Sequence, residues 1–410
     1  MTLEDLEAVV KKHMLLADPH IIKLLCGFIV ASRLPINPPW LFIVGPPSGG
    51  KTKLLEALLS VEGMVPIDNL TPKTFASGMR GKDGQSYSLL DNLMPNDTLL
   101  FADFTTFIQK DERQQGEIIG QMRRIYDGRF NNKTGNGVNV NWENRKISII
   151  AGVTEEIYPA LASFGTMGER FLLWEFLQAD DYELAEMASH NLDDKPAKVE
   201  MEKAFAEFLN NFQIPAITTI DETTRKQIRD LSVFVCKART GVRRKKYHRD
   251  NPIEQISKSE KPPRLVKQIL GLGLGLQALN GGTMSDDDRH LLCKIALDSI
   301  PSMRRKCLQA LTRYTNGVTT RGLAGMMNLP PETVRLHLQD LAAMELIKYS
   351  TISGHDQWRL HDEYRGLVEV YEGIRPIGDI LAAKDEKEAI PDEFNLPPDE
   401  LSSSYNSSSE

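Results

Sequence analysis

The sequence predicts an α/β protein built on a mainly parallel sheet, followed by a helical region and a smaller helix-and-hairpin module at the C-terminal end. Three observations predict this. Between Trp40 and about Leu177, short apolar runs ("WLFIV", "TLLFAD", "ISIIAGV", "RFLLWEF") alternate with segments of helical spacing, the pattern of buried parallel strands covered by helices. The first run breaks into "GPPSGG" and resumes as "KTKLLEALL", so a strand, a glycine-rich turn and a helix follow one another directly. Residues 304–362 then read as three helices and a hairpin.

At 410 residues the chain has room for about two or three domains, each with its own core. A hydrophobic share of 41% with 26% charged residues is ordinary for a soluble globular protein. No apolar run reaches the ~18 residues of a membrane span; "IIKLLCGFIVASRL" is interrupted by Lys23 and Arg33 and lacks the basic start and clean apolar block of a signal peptide. A cytoplasmic protein is expected. Cys26, Cys236, Cys293 and Cys307 are far apart, with no CxxC pair or zinc-type spacing, and read as buried reduced thiols. The net charge of −7 is unevenly spread: "RTGVRRKKYHR" at 239–249 is basic and the last two dozen residues are acidic and serine-rich. Any nucleic-acid contact is therefore expected to be local, through a patch or loop.

In chain order, 1–38 reads as an N-terminal helical segment: Leu3, Leu6, Val9 and Val10 at helical spacing, then a second helix ending at "PINPP". Residues 39–177 form the sheet core. Residues 178–300 read as a helical lid or linker, with "KVEMEKAFAEFLNNF" and "DETTRKQIRDLSVFVCKA" as amphipathic helices and a loop at 248–263. Residues 301–375 form the C-terminal module, and 376–410, poor in apolar residues, read as a disordered acidic tail.

Gly45-Pro46-Pro47-Ser48-Gly49-Gly50-Lys51-Thr52 fits G-x-x-x-x-G-K-[ST] in the strand–helix context that this phosphate-binding loop requires. Backbone N–H groups must converge on phosphate oxygens, so glycines permit close approach and positive φ, and the helix start adds favourable partial charge. Lys51 is expected to reach the β- and γ-phosphates of ATP, and Thr52 to ligate Mg²⁺. "DTLLFADF" ends in Asp103, where a carboxylate would hold Mg²⁺ through water. The next residue is Phe104.

This order of parts resembles the AAA+ class of ring-forming ATPases: the loop at 45–52, the acidic strand end at Asp103, "ISIIAGVT" ending in Thr154, then "GERF" with Arg170. The resemblance covers roughly 25–280. It implies that Thr154 contacts the γ-phosphate or attacking water and that Arg170 is a finger offered to a neighbouring subunit's ATP; an ion pair with Glu169 or another acid is the alternative. In "KPPRLVKQILGL", Arg264 is similar to the lid arginine by which such ATPases sense nucleotide. Many relatives place a glutamate water-activating base where this chain has Phe104, so Glu112, Glu117, Glu155 and Glu156 become the candidates.

Between the second and third core strands, "YDGRFNNKTGNGVNVNWENRKISII" carries Asn136-Gly137, a tight hairpin turn. The hairpin resembles the one that minichromosome-maintenance helicases project into the ring channel, with Arg129 and Lys133 as phosphate contacts; a hairpin that only extends the sheet is the alternative. The run from "SLLDNLMPNDTLLFADFTTF" to "GERFLLWEF" also looks like ATP-binding proteins of phages and mobile elements labelled helicase- or primase-associated.

Residues 304–362 read as a winged helix-turn-helix, its second helix capped by Thr319 or Thr320. Val334, Leu338, Leu341 and Leu346 face inward, Thr333, Arg335, His337 and Gln339 face solvent, and Ser353-Gly354 form the wing tip. Such a module serves DNA or protein contact. Arg243, Arg244, Lys245, Lys246 and Arg249 offer a further phosphate-contacting loop, or a solvated loop or subunit contact. The resulting expectation is an ATP-hydrolysing, DNA-associated motor or remodeller acting as a ring homo-oligomer. An ATP-gated DNA-binding switch or loader is the alternative, and an ATP-binding interaction protein for a replication partner is a third.

Overall fold

The computed structural model describes residues 1–372, apart from 84, 134–138, 144, 165–169, 217–218, 246–250 and 353–354. The expected Asn136-Gly137 turn, Gly168 and Glu169, Lys246 and Arg249, the Ser353-Gly354 tip and the 376–410 tail lie outside the described residues. The chain divides into two compact units, Met1–Ile300 and Pro301–Glu410.

The first unit starts with α1 (Leu3–His13), α2 (His20–Ser32), β1 (Trp40–Val44), α3 (Lys51–Glu56), β2 (Met64–Pro66), α4 (Leu89–Asn92) and β3 (Thr98–Phe101). It continues through α5 (Thr105–Ile108), α6 (Glu112–Tyr126), β4 (Arg129–Lys133), β5 (Asn139–Glu143), β6 (Ser148–Val153), α7 (Ile157–Phe164) and β7 (Phe171–Glu175). It ends with α8 (Asp181–His190), α9 (Lys195–Asn210), α10 (Glu222–Ala238), β8 (Val242–Arg244), β9 (Ile253–Ile256), α11 (Pro263–Leu279) and α12 (Asp286–Asp298).

Five strands form one parallel sheet in the order β2-β3-β6-β1-β7. The four core runs read from the sequence as strands are β1, β3, β6 and β7. β1 and β6 are buried at every residue, as strands covered on both faces must be, and this explains their unbroken apolar character. Aromatic rings fill one face: Phe42 stacks on Phe171 at 3.7 Å, and Trp40 meets Tyr126 edge-on at 5.0 Å while its indole N–H donates to Ile147 O at 2.8 Å. The pairing registers Val44 with both Val153 and Glu175, so the carboxyl ends of β1, β6 and β7 are level.

The β7 edge is covered by side chains from the end of α12. Leu173 N–H donates to Ser299 Oγ at 3.1 Å and Glu175 N–H to Asp298 Oδ2 at 3.0 Å. Asp298 also accepts from Lys294 at 2.6 Å, and that ammonium lies 3.3 Å from the centre of the Trp174 ring. An almost fully buried lysine is thus paired and stacked, which offsets its desolvation.

The hairpin before β6 is a separate two-stranded sheet of β4 and β5 and does not extend the central one. Its inner positions Phe130, Val140 and Trp142 join the aromatic core, and Arg129, Asn131 and Lys133 alternate outward or to the rim, as period-two strands do. Within the expected loop at 248–263, Ile253–Ile256 instead pairs with Val242–Arg244 through a bulge. Residues 1–38 and 178–300 belong to the same compact unit as the sheet: α2 lies along α11, and α1 along α9. All four cysteines are buried, and burial pushes the Cys293 and Cys307 thiols up to about 12. No helix among the described residues is long and apolar enough to cross a membrane.

The second unit contains α13 (Ser302–Thr312), β10 (Val318–Thr319), α14 (Thr320–Met326), α15 (Pro331–Ala343), β11 (Ile347–Ile352), β12 (His355–Leu360) and α16 (Asp362–Glu372). Its strands form an antiparallel sheet in the order β10-β12-β11. Thr319 caps α14 by accepting from Gly322 N–H at 3.1 Å. Val334, Leu338, Leu341 and Leu346 are buried, and a buried Arg304–Asp340 pair at 3.1 Å joins α13 to α15. The closing helix α16 was not expected from the sequence.

Candidate functional site

A cavity of about 510 Å³ opens at the carboxyl ends of β1, β3 and β6, where loops leave a parallel sheet and ligands of open α/β folds bind. Residues 47–52 form one wall. The loop departs from regular geometry twice: Ser48 has φ of 60° and Gly50 of 89°. The first is a left-handed conformation that a serine adopts only when its surroundings impose it. The following helix is shorter than "KLLEALL" suggested. It is regular from Lys51 to Glu56, after which Leu58 N–H bonds Leu55 O at 3.0 Å in a tightened turn.

Lys51 is 8% exposed, and its Nζ donates to Gly45 O at 2.8 Å and to Pro46 O. Burial lowers its pKa, and the Asp103 carboxylate acts in the opposite sense. Thr52 lines the cavity from the exposed side of α3. Across it, Asp103 accepts the Thr105 N–H at 2.8 Å and so has a fixed orientation after β3. Thr154 follows β6, and its Oγ1 is buried with no hydrogen-bond partner among the described residues. A buried hydroxyl left unpaired costs about 1–3 kcal/mol, so its position on the cavity wall is one where a bound polar group would satisfy it. Gly152 lets these ends approach: a Cβ there would sit 2.6 Å from Ala102 O.

Sequence reasoning missed Gly152 and a second wall. Asp194 and Lys198, from the start of α9, line the cavity together with Lys53 and Glu56 of α3. Lys198 pairs with Glu56 at 2.9 Å and Lys53 with Asp194. No local pattern marks these residues, because each partner lies in a different segment.

Phe104 does not face the cavity. It is 2% exposed and packs among Phe42, Phe101 and Phe107, with ring centres 5.4, 5.2 and 4.8 Å away. Its N–H bonds Gly152 O at 2.8 Å, which turns the side chain into the core. None of Glu112, Glu117, Glu155 and Glu156 lines the cavity; its carboxylates are Glu56, Asp103 and Asp194.

Arg170 and Arg264 are at the other end of the sheet. Arg170 precedes β7, so about 16 Å of strand separates it from the carboxyl end at ~3.3 Å per residue. Arg170 is 6% exposed, and its guanidinium pairs with Asp127 at 3.3 Å and lies 5.4 Å from the Tyr126 ring. Burial lowers its pKa, and the nearby Arg264 charge acts in the same sense. Tyr126 is pushed up to about 12, chiefly by burial. Arg264 therefore does not sit at its own chain's phosphate loop as a lid sensor. The reason is where α11 begins: Gln268, one turn later, donates to Arg170 O and ties the helix start to the amino end of β7.

Lys133 is exposed at the far end of β4. Arg243 and Lys245 are exposed, whereas Arg244 donates to Asn251 O at 2.7 Å. On α15, Arg335 is half-buried and donates to Glu332 at 3.0 Å, and His337 is half-buried. Within the first unit, Lys133, Arg243, Arg244 and Lys245 do not line the cavity.

Among the described residues no three His, Cys, Asp or Glu side chains form a metal cluster. Mg²⁺ keeps water and phosphate oxygens as ligands and needs only one or two protein groups; Thr52 and Asp103, which both line the cavity, could supply them.

No family model matches the chain, and no curated protein matches it. One solved structure with a loosely similar fold is that of a protein named "putative ATPase" from Cytophaga hutchinsonii ATCC 33406. The likeness has 13% identity and a TM-score of 0.41 and covers 73% of this chain and 85% of that one. At that distance it carries no assignment, and the functional reading rests on the geometry.

Proposed function

We propose that the chain is an ATPase that hydrolyses ATP to ADP and phosphate and acts as a DNA-associated, helicase-like motor or remodeller in a ring of identical subunits. The observation that carries the ATPase reading is the meeting, in one cavity, of the 45–52 loop, Asp103 and the unpartnered Thr154 hydroxyl. In this reading the loop N–H groups hold the phosphates, and Lys51 exchanges its two carbonyl partners for β- and γ-phosphate oxygens. Thr52 and Asp103 hold Mg²⁺, which when bound draws charge from the phosphates and the leaving oxygen. Thr154 orients the γ-phosphate or the attacking water. Of the wall carboxylates, Glu56 or Asp194 would take the water's proton once released from its lysine partner, since both line the cavity. Arg170, with Arg264 beside it, would serve a neighbouring subunit, which requires Arg170 to leave Asp127.

The DNA part rests on the separate β4–β5 hairpin with Lys133, on the exposed Arg243 and Lys245, and on the helix–helix–hairpin order of the second unit, which we read as a winged helix with Arg335 and His337 on its recognition helix. One observation favours the switch or loader instead: Glu56 and Asp194 are both ion-paired, so turnover would be slow without rearrangement. Steady-state ATP hydrolysis with and without single-stranded and duplex DNA, against Lys51→Ala, decides between them. Stimulation by DNA supports the motor; tight ATP binding with slow, DNA-indifferent turnover sinks it.

A further inference from the structure

A second concavity, of about 670 Å³, opens at the amino ends of β1, β3 and β6, on the side of the sheet opposite the phosphate cavity. Its charged lining is of one sign. Arg145, Lys146, Arg225 and Lys267 contribute to it and no aspartate or glutamate does, in a chain whose net charge is −7. These four cations come from three separate stretches: the segment between β5 and β6, the first turn of α10, and α11 one turn after Arg264. All four are exposed.

They differ in how they are engaged. Arg145 lies 5.4 Å from the Trp142 ring and Lys146 donates to Asn37. Among the described residues the side chains of Arg225 and Lys267 have no hydrogen-bond or ion-pair partner. Like charges gathered without counter-charges raise the local potential and attract an anion. Beneath them the floor is apolar: Leu34, Ile36, Ile220, Leu270 and Leu274.

We infer that this groove binds a single-stranded nucleic acid, its phosphodiester groups held by Arg145, Lys146, Arg225 and Lys267 and its sugar and base edges covering the apolar floor. A cationic rim over an apolar concavity suits a strand whose bases are unpaired. A duplex keeps its bases stacked inside and would leave the floor uncovered. The groove also lies near the foot of the β4–β5 hairpin, since Arg145 and Lys146 come soon after the end of β5 at Glu143. The inference deepens the DNA-associated reading above and rests on it for the identity of the anion, but it does not depend on ATP hydrolysis.

The test is binding of a labelled oligothymidylate of about a dozen nucleotides to the full-length protein and to Arg225→Ala/Lys267→Ala, at several salt concentrations. Each phosphate contact to a single strand contributes about 0.7 to the slope of log affinity against log salt. The double variant should lower that slope by about 1.4, so that the affinity lost between about 50 and 200 mM salt shrinks roughly sevenfold, with ATP binding unchanged. An unchanged slope overturns the proposal and places the strand elsewhere. Loss of a second ATP or inorganic phosphate site in the double variant, with strand binding intact, makes the ligand a free phosphate compound and overturns it too. Equal binding of a blunt duplex with the same dependence on Arg225 and Lys267 removes the case for a single strand. Lys51→Ala serves as the separating control: it should bind the oligonucleotide as wild type does, so a failed ATPase reading and a failed groove are told apart.

Discussion

At the carboxyl ends of β1, β3 and β6 the cavity is made largely of main chain: a loop with two left-handed residues, a glycine that admits a carbonyl at a neighbouring strand end, and side chains that sit one or two residues past a strand. At the opposite, amino end of the sheet, Arg170 and Arg264 beside β7 and the four cations of the groove beside β1, β3 and β6 reach in from separate helices and connections. The first construction fixes positions through the backbone, where a Cβ added at Gly152 would already meet the Ala102 carbonyl. The second fixes mainly charge, and its members can be exchanged singly. Chemistry that needs alignment belongs at the first end, and attraction or assembly at the second.

Four experiments sharpen or break this contrast. Lys51→Ala should give the largest effect, lowering ATP turnover by more than about 10³-fold, because in the proposed reading it removes the charge that meets the transferring phosphoryl group. Turnover near wild type would dissolve the distinction between the two ends. Arg170→Ala should lower turnover by about 10³-fold if it serves a neighbour's ATP, while ATP affinity stays within about threefold because the residue is far from its own cavity. Mixing Arg170→Ala with excess Lys51→Ala should restore turnover, because each Lys51→Ala subunit offers an intact Arg170 to a neighbour with an intact loop; no recovery in the mixture would contradict the finger assignment.

Gly152→Ala comes third. The new Cβ would push β6 from Ala102 and shift Asp103 relative to Thr154, so turnover should fall by about 10²-fold, with about 1–3 kcal/mol of stability lost to overpacking in urea titration. Unchanged turnover would show that the cavity tolerates more play than its backbone construction implies.

The smallest effect is on pH. Burial lowers the Lys51 pKa, and phosphate favours its ammonium form. ATP affinity should therefore be full below that lowered pKa and decline as pH rises through it, earlier than for an ordinary lysine. In the ATP-free protein the sign reverses. Burying the ammonium is unfavourable below the folded-state pKa, and that penalty disappears as pH rises toward the unfolded-state value. Lys51→Met should abolish both trends, as read by ATP titration and denaturant midpoints across the alkaline range.

The same contrast explains what could be read from the sequence. The 45–52 loop, Asp103 and Thr154 were legible because each is tied to the end of an apolar strand run, and strand ends are marked by composition. Where Arg264 lies relative to the sheet could not be read, because helical spacing does not show where a helix begins in space; that is set by Gln268 on the Arg170 carbonyl. Phe104 was noticed as a missing carboxylate, but its burial among three phenylalanines follows from the Gly152 hydrogen bond, which no one-dimensional pattern displays. Lys53 and Asp194 are 141 residues apart, and neither sits in a motif. The four groove cations were invisible for the same reason, each being an unremarkable surface charge in its own segment.

The cover on β7 has a consequence for how copies of the chain can meet. With two of its outward N–H groups taken by Ser299 and Asp298, and with the opposite edge reduced to a three-residue strand ending in Pro66, neither border of the sheet offers a run of free main-chain donors. Copies of the chain in the ring proposed above would then gain little by continuing one another's central sheets. Their contacts would be made by side chains, and contacts of that kind can be loosened and remade without unravelling the fold.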